Sequence, residues 1–130
     1  MDFKVVINRR EPGIFSVTLF GPLDSVTHVK FEKEITPLLI PSTKAIILNM
    51  DGVDYMSSLG IGSFFKVSNY MNRNNGSLLM TNLQPQIKKL LETVKALPPS
   101  VFKSIEEADE YINEIQRKAI GKDKDKPFAF

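Results

Sequence analysis

The feature that most constrains this chain is an apolar run, Ala45-Ile-Ile-Leu-Asn-Met50, followed within eight residues by the junction Ser57-Ser-Leu-Gly-Ile-Gly62. The run is rich in β-branched and aliphatic residues and predicts a buried strand. After the junction, Ile61, Phe64, Phe65, Tyr70 and Met71 recur at helical spacing. A strand that feeds a helix through a short junction is the beginning of a parallel crossover. Serine is favoured where a helix begins, because its hydroxyl accepts a backbone N–H that lacks an intrahelical partner. Gly60 and Gly62 keep the first turn free of bulk, open to a partner's backbone or an anion. An anion there also meets the positive end of the helix dipole, so a hydroxyl at this place is suited to carry a phosphate.

The flanking segments extend the same pattern. Phe3–Asn8 and Ile14–Phe20 predict two strands joined by Arg9-Arg-Glu-Pro-Gly13, a hairpin. Asp24 or Ser25 is placed to cap a helix with Val26, Val29, Ile35, Leu38 and Leu39 along one side, shortened by Pro37. The helix after the serines is predicted to run to about Asn72 and to end on Asn74-Asn-Gly76, residues that tolerate positive φ. Ser77–Asn82 predicts a further strand, and Pro85 opens a helix with Ile87, Leu90, Leu91 and Val94 on one face. Val101-Phe102 predicts a short strand after Pro98-Pro99. Ser104-Ile-Glu-Glu107 has the spacing of a capping box, with Ala108, Tyr111, Ile112 and Ile115 turned inward.

Strands and helices thus alternate after a hairpin, which predicts an α/β fold: a mixed four- to five-stranded sheet with about four helices mostly on one face. Val5, Ile7, Val17, Leu19, Ile46, Leu48, Phe64, Leu79, Leu91 and Ile112 are the expected core. A length of 130 residues suits one domain, expected over 1–119. Gly121-Lys-Asp-Lys-Asp-Lys126 alternates charge with nothing to bury, so 120–130 is expected to be a flexible tail, with Phe128 and Phe130 as aromatics able to dock.

Several classes of function are disfavoured by the same residues. The net charge of +2 is spread over interspersed acids and bases, which does not indicate a nucleic-acid surface. The absence of cysteine excludes disulfides and thiolate chemistry and fits a cytoplasmic protein. No signal peptide or membrane span is expected. His28 is the only histidine, without companions at metal-ligand spacing, and is expected to be a solvated helix residue. Gly60-Ile-Gly62 lacks the third glycine of a dinucleotide fingerprint, since position 65 is Phe, and no nucleophile elbow or Walker loop is present. No enzyme, cofactor or metal is expected.

Gly21-Pro-Leu-Asp24, the Ala45–Gly62 junction, Gly76-Ser-Leu-Leu-Met80 with its proline-started helix, and Ser104-Ile-Glu-Glu-Ala108 follow one another over roughly residues 3–117. In this order and spacing they resemble the STAS domain, the family of bacterial anti-sigma factor antagonists. The resemblance implies a non-enzymatic protein that binds a serine protein kinase acting as anti-sigma factor. The kinase phosphorylates a serine at the helix start, and a serine/threonine phosphatase resets it. Aligning on Gly60 puts the acceptor at Ser58, with Ser57 where the family usually has Asp and Leu59 where a second hydroxyl often stands. That departure leaves Ser57 as a second candidate acceptor. The resemblance places partner contacts at Asp24, Ser57, Ser58, Leu59, Gly60 and Gly62, although Asp24 by itself reads first as a helix cap. A ligand-sensing or scaffolding module of the same fold, never phosphorylated, is the alternative.

Overall fold

The structure, a computed structural model, describes residues 3–95, 104–118 and 128–130. Two strands, β1 (Lys4–Glu11) and β2 (Ile14–Phe20), form the opening hairpin. Strand β1 runs three residues past its expected end, because the tight Pro12-Gly13 turn, with Gly13 at φ +82°, lets Glu11 pair with Ile14. Helix α1 (Thr27–Ile35) passes into a 3-10 turn at Thr36–Leu38 that contains Pro37. Strand β3 (Ala45–Gly52), helix α2 (Ser58–Arg73), strand β4 (Ser77–Thr81) and helix α3 (Pro85–Lys95) follow. Helix α4 (Ile105–Lys118) and a short strand β5 (Phe128–Ala129) complete the described chain.

The five strands lie in chain order in one sheet. β2, β3 and β4 are parallel, and the two edge strands are antiparallel to their neighbours. Register explains the core. Ile7, Val17, Leu48 and Met80 align across four strands, as do Phe15, Ile46 and Leu78 across three, and these side chains share one face. That face packs with Phe31, Phe64, Ile87, Leu90, Leu91 and Ile112 from the helices in one apolar cluster. Phe31 and Phe64 meet at 5.2 Å between ring centroids.

Helix α2 stops on a Schellman motif. Gly76 N donates to Met71 O at 2.7 Å, with Asn75 at φ 60°. The asparagine pair therefore closes the helix as its sequence indicates.

Four expectations of packing are corrected. Leu79 is only half-buried, because Leu78 and Met80 hold the core parity of β4. Val26 and Val29 are exposed, since the stripe of α1 that meets the core is Phe31, Ile35 and, beyond it, Leu38. Tyr111 is exposed at 38%, while Ala108, Ile112 and Ile115 face the core as expected and are joined there by the buried Gln116. Phe128–Phe130, expected in a flexible tail, join the sheet instead: β5 pairs with β4 and Phe130 N donates to Leu78 O at 2.9 Å. Val5 and Ile7 are half-buried against the core; Val17, Leu19, Ile46, Leu48, Phe64, Leu91 and Ile112 are buried as expected. The predicted strand at Val101-Phe102, and 120–127 of the predicted tail, lie outside the described residues.

Candidate functional site

The site is built at the carboxyl end of the central parallel strands, where two loops run side by side. After β2, Gly21 N donates to Gly52 O and Leu23 N to Tyr55 O, and Ser57 N donates back to Leu23 O, each at 2.9 Å. These bonds bring Gly21-Pro-Leu-Asp24 alongside the segment that leads into α2. Leu23 is fully buried and pairs with Met56 as an isolated bridge.

Ser57 is the N-cap of α2, in extended conformation, with its Oγ accepting the Gly60 N–H at 3.3 Å. The residue is 5% exposed. Ser58 is the first helical residue. Its Oγ is buried and has no hydrogen-bond partner among the described residues. The two hydroxyls are therefore unequal, one committed to capping and the other uncommitted. Gly60 is packed tightly, since a Cβ there would stand 2.4 Å from Leu23 O. Its lack of a side chain serves the internal contact with Leu23, not an approaching partner. Gly62 differs, because a Cβ there would meet nothing within 4 Å. Leu59 is half-buried beside them.

Asp24 is engaged by its own loop. Its Oδ1 accepts the N–H groups of Val26 and Thr27 at 2.9 Å each and the Thr27 hydroxyl at 3.1 Å. The bond from Thr27 N, with lesser help from Val26 N, holds its carboxyl below the ordinary range against the opposing effect of burial. Asp24 thus caps the turn that precedes α1, the first of its two expected roles.

Helix α4 reaches the same place. Asp109 Oδ1 accepts the Ser58 N–H at 2.8 Å, and Asn113 Oδ1 accepts the Tyr55 hydroxyl at 2.8 Å. Gln116 uses both ends of its amide, accepting from Met56 N and donating to Met56 O at 2.9 Å each. Sequence reasoning missed all three residues. Their one trace was the recurrence of amide and carboxylate side chains one helical face apart beside Ala108 and Ile112. Burial, and then the neighbouring Asp109 charge, raise the Tyr55 hydroxyl above its ordinary range, so it stays a donor. An open cleft of about 870 Å³ lies beside Tyr55, lined also by Gln86, Glu110, Asn113 and Arg117; neither serine lines it.

One further polar cluster ties α1 to α2. The Ser63 hydroxyl donates to Glu32, and His28 Nδ1 lies 3.2 Å from Glu32 Oε2 and 3.3 Å from Ser63 Oγ. His28 is therefore a half-buried bridge, not the solvated residue expected. The Ser63 bond first, then His28 and Lys66, lower the Glu32 carboxyl below its ordinary range against burial. A carboxyl so lowered binds fewer protons folded than unfolded. Its contribution is present above the unfolded value, about pH 4.3, and is lost as pH falls through the folded one. Glu32→Gln is expected to lower stability at neutral pH and to flatten the acid limb, so that variant and parent converge at low pH. Urea midpoints measured from pH 3 to pH 7 check this, and an unchanged slope below about pH 4.3 contradicts it.

The STAS domain family model matches residues 6–108. The chain belongs to the STAS domain family. A STAS domain relative, the anti-sigma-B factor antagonist of Staphylococcus aureus, is 31% identical over 78 residues, 60% of this chain and 72% of that protein. The anti-sigma factor antagonist SpoIIAA shares the STAS fold. In its unphosphorylated form it superimposes with a TM-score of 0.60 at 18% identity, covering 85% of this chain and 98% of SpoIIAA. In its phosphorylated form, described as a Bacillus cell fate determinant, the TM-score is 0.61 at 20% identity, with 86% and 99% covered. Part of the murine Solute Carrier 26 family member A9 anion transporter has a similar fold (TM-score 0.57, 18% identity, 85% of this chain and 19% of the transporter). Among the described residues, no helix of this STAS domain is long and apolar enough to cross a membrane.

Proposed function

We propose that this STAS domain is a cytoplasmic, non-enzymatic anti-sigma factor antagonist that binds a switch kinase of the anti-sigma type and is controlled by reversible phosphorylation of Ser58. The observation that carries the reading is the inequality of the two serines. Ser57 Oγ is occupied as the cap of α2, whereas Ser58 Oγ is uncommitted in the first turn, at the positive end of a 16-residue helix. Homology to the anti-sigma-B factor antagonist supports the class, and the phosphorylated form of SpoIIAA shows that a protein of this fold carries the modification. The partner surface is assigned to Ser58, Leu59 and the open flank at Gly62, with Asp24, Ser57 and Gly60 shaping it from within. A serine/threonine phosphatase restores the binding form. The alternative of a ligand cleft at Ser58 draws less support, since the cleft beside Tyr55 does not include the serines.

A phosphate adds about −1.5 to −2 charges, which a helix N-terminus tolerates, so the modification leaves the sheet and α2 in place and acts on partner binding. Incubation with the cognate kinase and ATP, followed by intact mass and phosphopeptide mapping, is expected to give one phosphate on Ser58. Ser58→Ala should take up none and keep partner binding, and Ser58→Asp should weaken binding partly. Ser57→Ala should still be labelled, at a cost of about 1 kcal/mol for the lost cap. Label confined to Ser57, or normal labelling of Ser58→Ala, overturns the assignment.

A further inference from the structure

We infer that α4 is a latch over the acceptor: Asp109 occupies the place at the start of α2 that a phosphate on Ser58 would claim, so the hydroxyl is reached only when α4 lifts, and once modified it holds α4 away. The inference rests on Ser58 being the acceptor and adds how access to it is governed.

Three observations support it. Asp109, Asn113 and Gln116, on one side of α4, bind Ser58, Tyr55 and Met56, so a single helix grips the whole approach to α2. The Ser58 Oγ lies buried without a partner among the described residues. Burial without a bond costs stability, and phosphoryl transfer needs the oxygen in line with an incoming phosphate, which a covered atom cannot offer. The apolar hold of α4 is short: Ala108 and Ile112 are buried and Ile115 is half-buried against the core, while Tyr111 is turned out. Much of the grip is hydrogen bonding from side chains to backbone, which water replaces on opening. All three gripping residues lie beyond residue 108, where the family match ends.

Charge repulsion holds α4 away after modification. The Asp109 carboxylate takes the Ser58 N–H at 2.8 Å. A phosphate on the same residue seeks the same donor and the same positive helix end, and two anions do not share them at that distance.

The chain has no cysteine, so Ser58→Cys supplies a single thiol whose reaction with iodoacetamide reports access to position 58 without any kinase. Adding Asp109→Ala, Asn113→Ala and Gln116→Ala is expected to raise the alkylation rate by about tenfold; equal rates overturn the latch. Hydrogen exchange of the unsubstituted chain guards against a variant that fails to fold. The amides of α4 should exchange through an opening that leaves β3 and α2 protected, and exchange only together with those elements overturns it. Carboxymethylation of the Ser58→Cys thiol with iodoacetate should speed α4 exchange beyond the neutral carbamidomethyl adduct; equal exchange removes the charge-expulsion step. With kinase and ATP, labelling at the same rate with and without the three α4 substitutions refutes the latch, whereas no label in either refutes the acceptor assignment instead.

Discussion

Gly60→Ala is expected to lower the thermal midpoint by about 10 °C, the largest effect of any single methyl group in the site. The added Cβ would stand 2.4 Å from the Leu23 carbonyl oxygen and 3.1 Å from both Leu23 C and Cγ. That carbonyl cannot turn aside freely, because it accepts the Ser57 N–H at 2.9 Å. Either the loop moves and leaves a buried donor unpaired, or α2 shifts against the sheet. Overpacking and a lost buried hydrogen bond together amount to about 3 to 4 kcal/mol. The gain in helix propensity offsets only about 1 kcal/mol of that. Gly62→Ala is the matched control, since its Cβ meets nothing within 4 Å. It should leave the fold as stable or slightly more so, and any loss of partner binding then marks the outer surface. Circular dichroism melts of the two variants check the pair, and equal midpoints contradict it.

Deletion of Phe128–Phe130 is expected to cost about 3 kcal/mol, a fall in midpoint of roughly 10 °C. Phe130 stacks within 4.8 Å of Phe65 and 6.2 Å of Phe64, and Lys95 Nζ lies 5.3 Å from the Phe128 ring centre and donates to Ala129 O at 2.7 Å. Two half-buried rings account for most of the loss, and their contacts add about 0.5 to 1.5 kcal/mol. The deletion also uncovers the β4 edge, so self-association should appear by light scattering. Phe128→Ala with Phe130→Ala, which keeps the backbone pairing, separates ring packing from edge protection. A deletion whose midpoint moves by less than about 1 °C means that β5 contributes nothing.

Much of this was legible in the sequence, for identifiable reasons. Strand β3 and the start of α2 announce themselves because a contiguous apolar run, a capping serine and helical spacing all point the same way. The Asn74-Asn-Gly76 stop and the Ser104 cap were equally plain, the latter accepting from Glu107 N at 3.1 Å. The face of β4 was not legible, since Leu78-Leu-Met80 is apolar throughout and parity is set only by pairing with β3. Val26 and Val29 misled because α1 begins at Thr27 and its buried stripe starts later, at Phe31. The α4 contacts were beyond reach of periodicity, because a glutamine that reads as surface becomes buried once it bonds both backbone groups of Met56. Ser57 and Ser58 were identified together, and only the geometry tells the cap from the uncommitted hydroxyl.

That each strand lies beside its predecessor in the chain bears on the order of assembly. Neighbouring strands meet after short closures, so β1 to β4 with their intervening helices can form by successive local additions, at little entropic cost per step. Helix α4, like strand β5, must close a long loop, since its bonds to Tyr55, Met56 and Ser58 span separations of 51 to 60 residues. Its docking is expected to come late in refolding, after a sheet with open serines already exists. Substitutions at Asp109, Asn113 and Gln116 should accordingly speed unfolding far more than they slow folding, giving low φ values beside higher ones in β3 and α2.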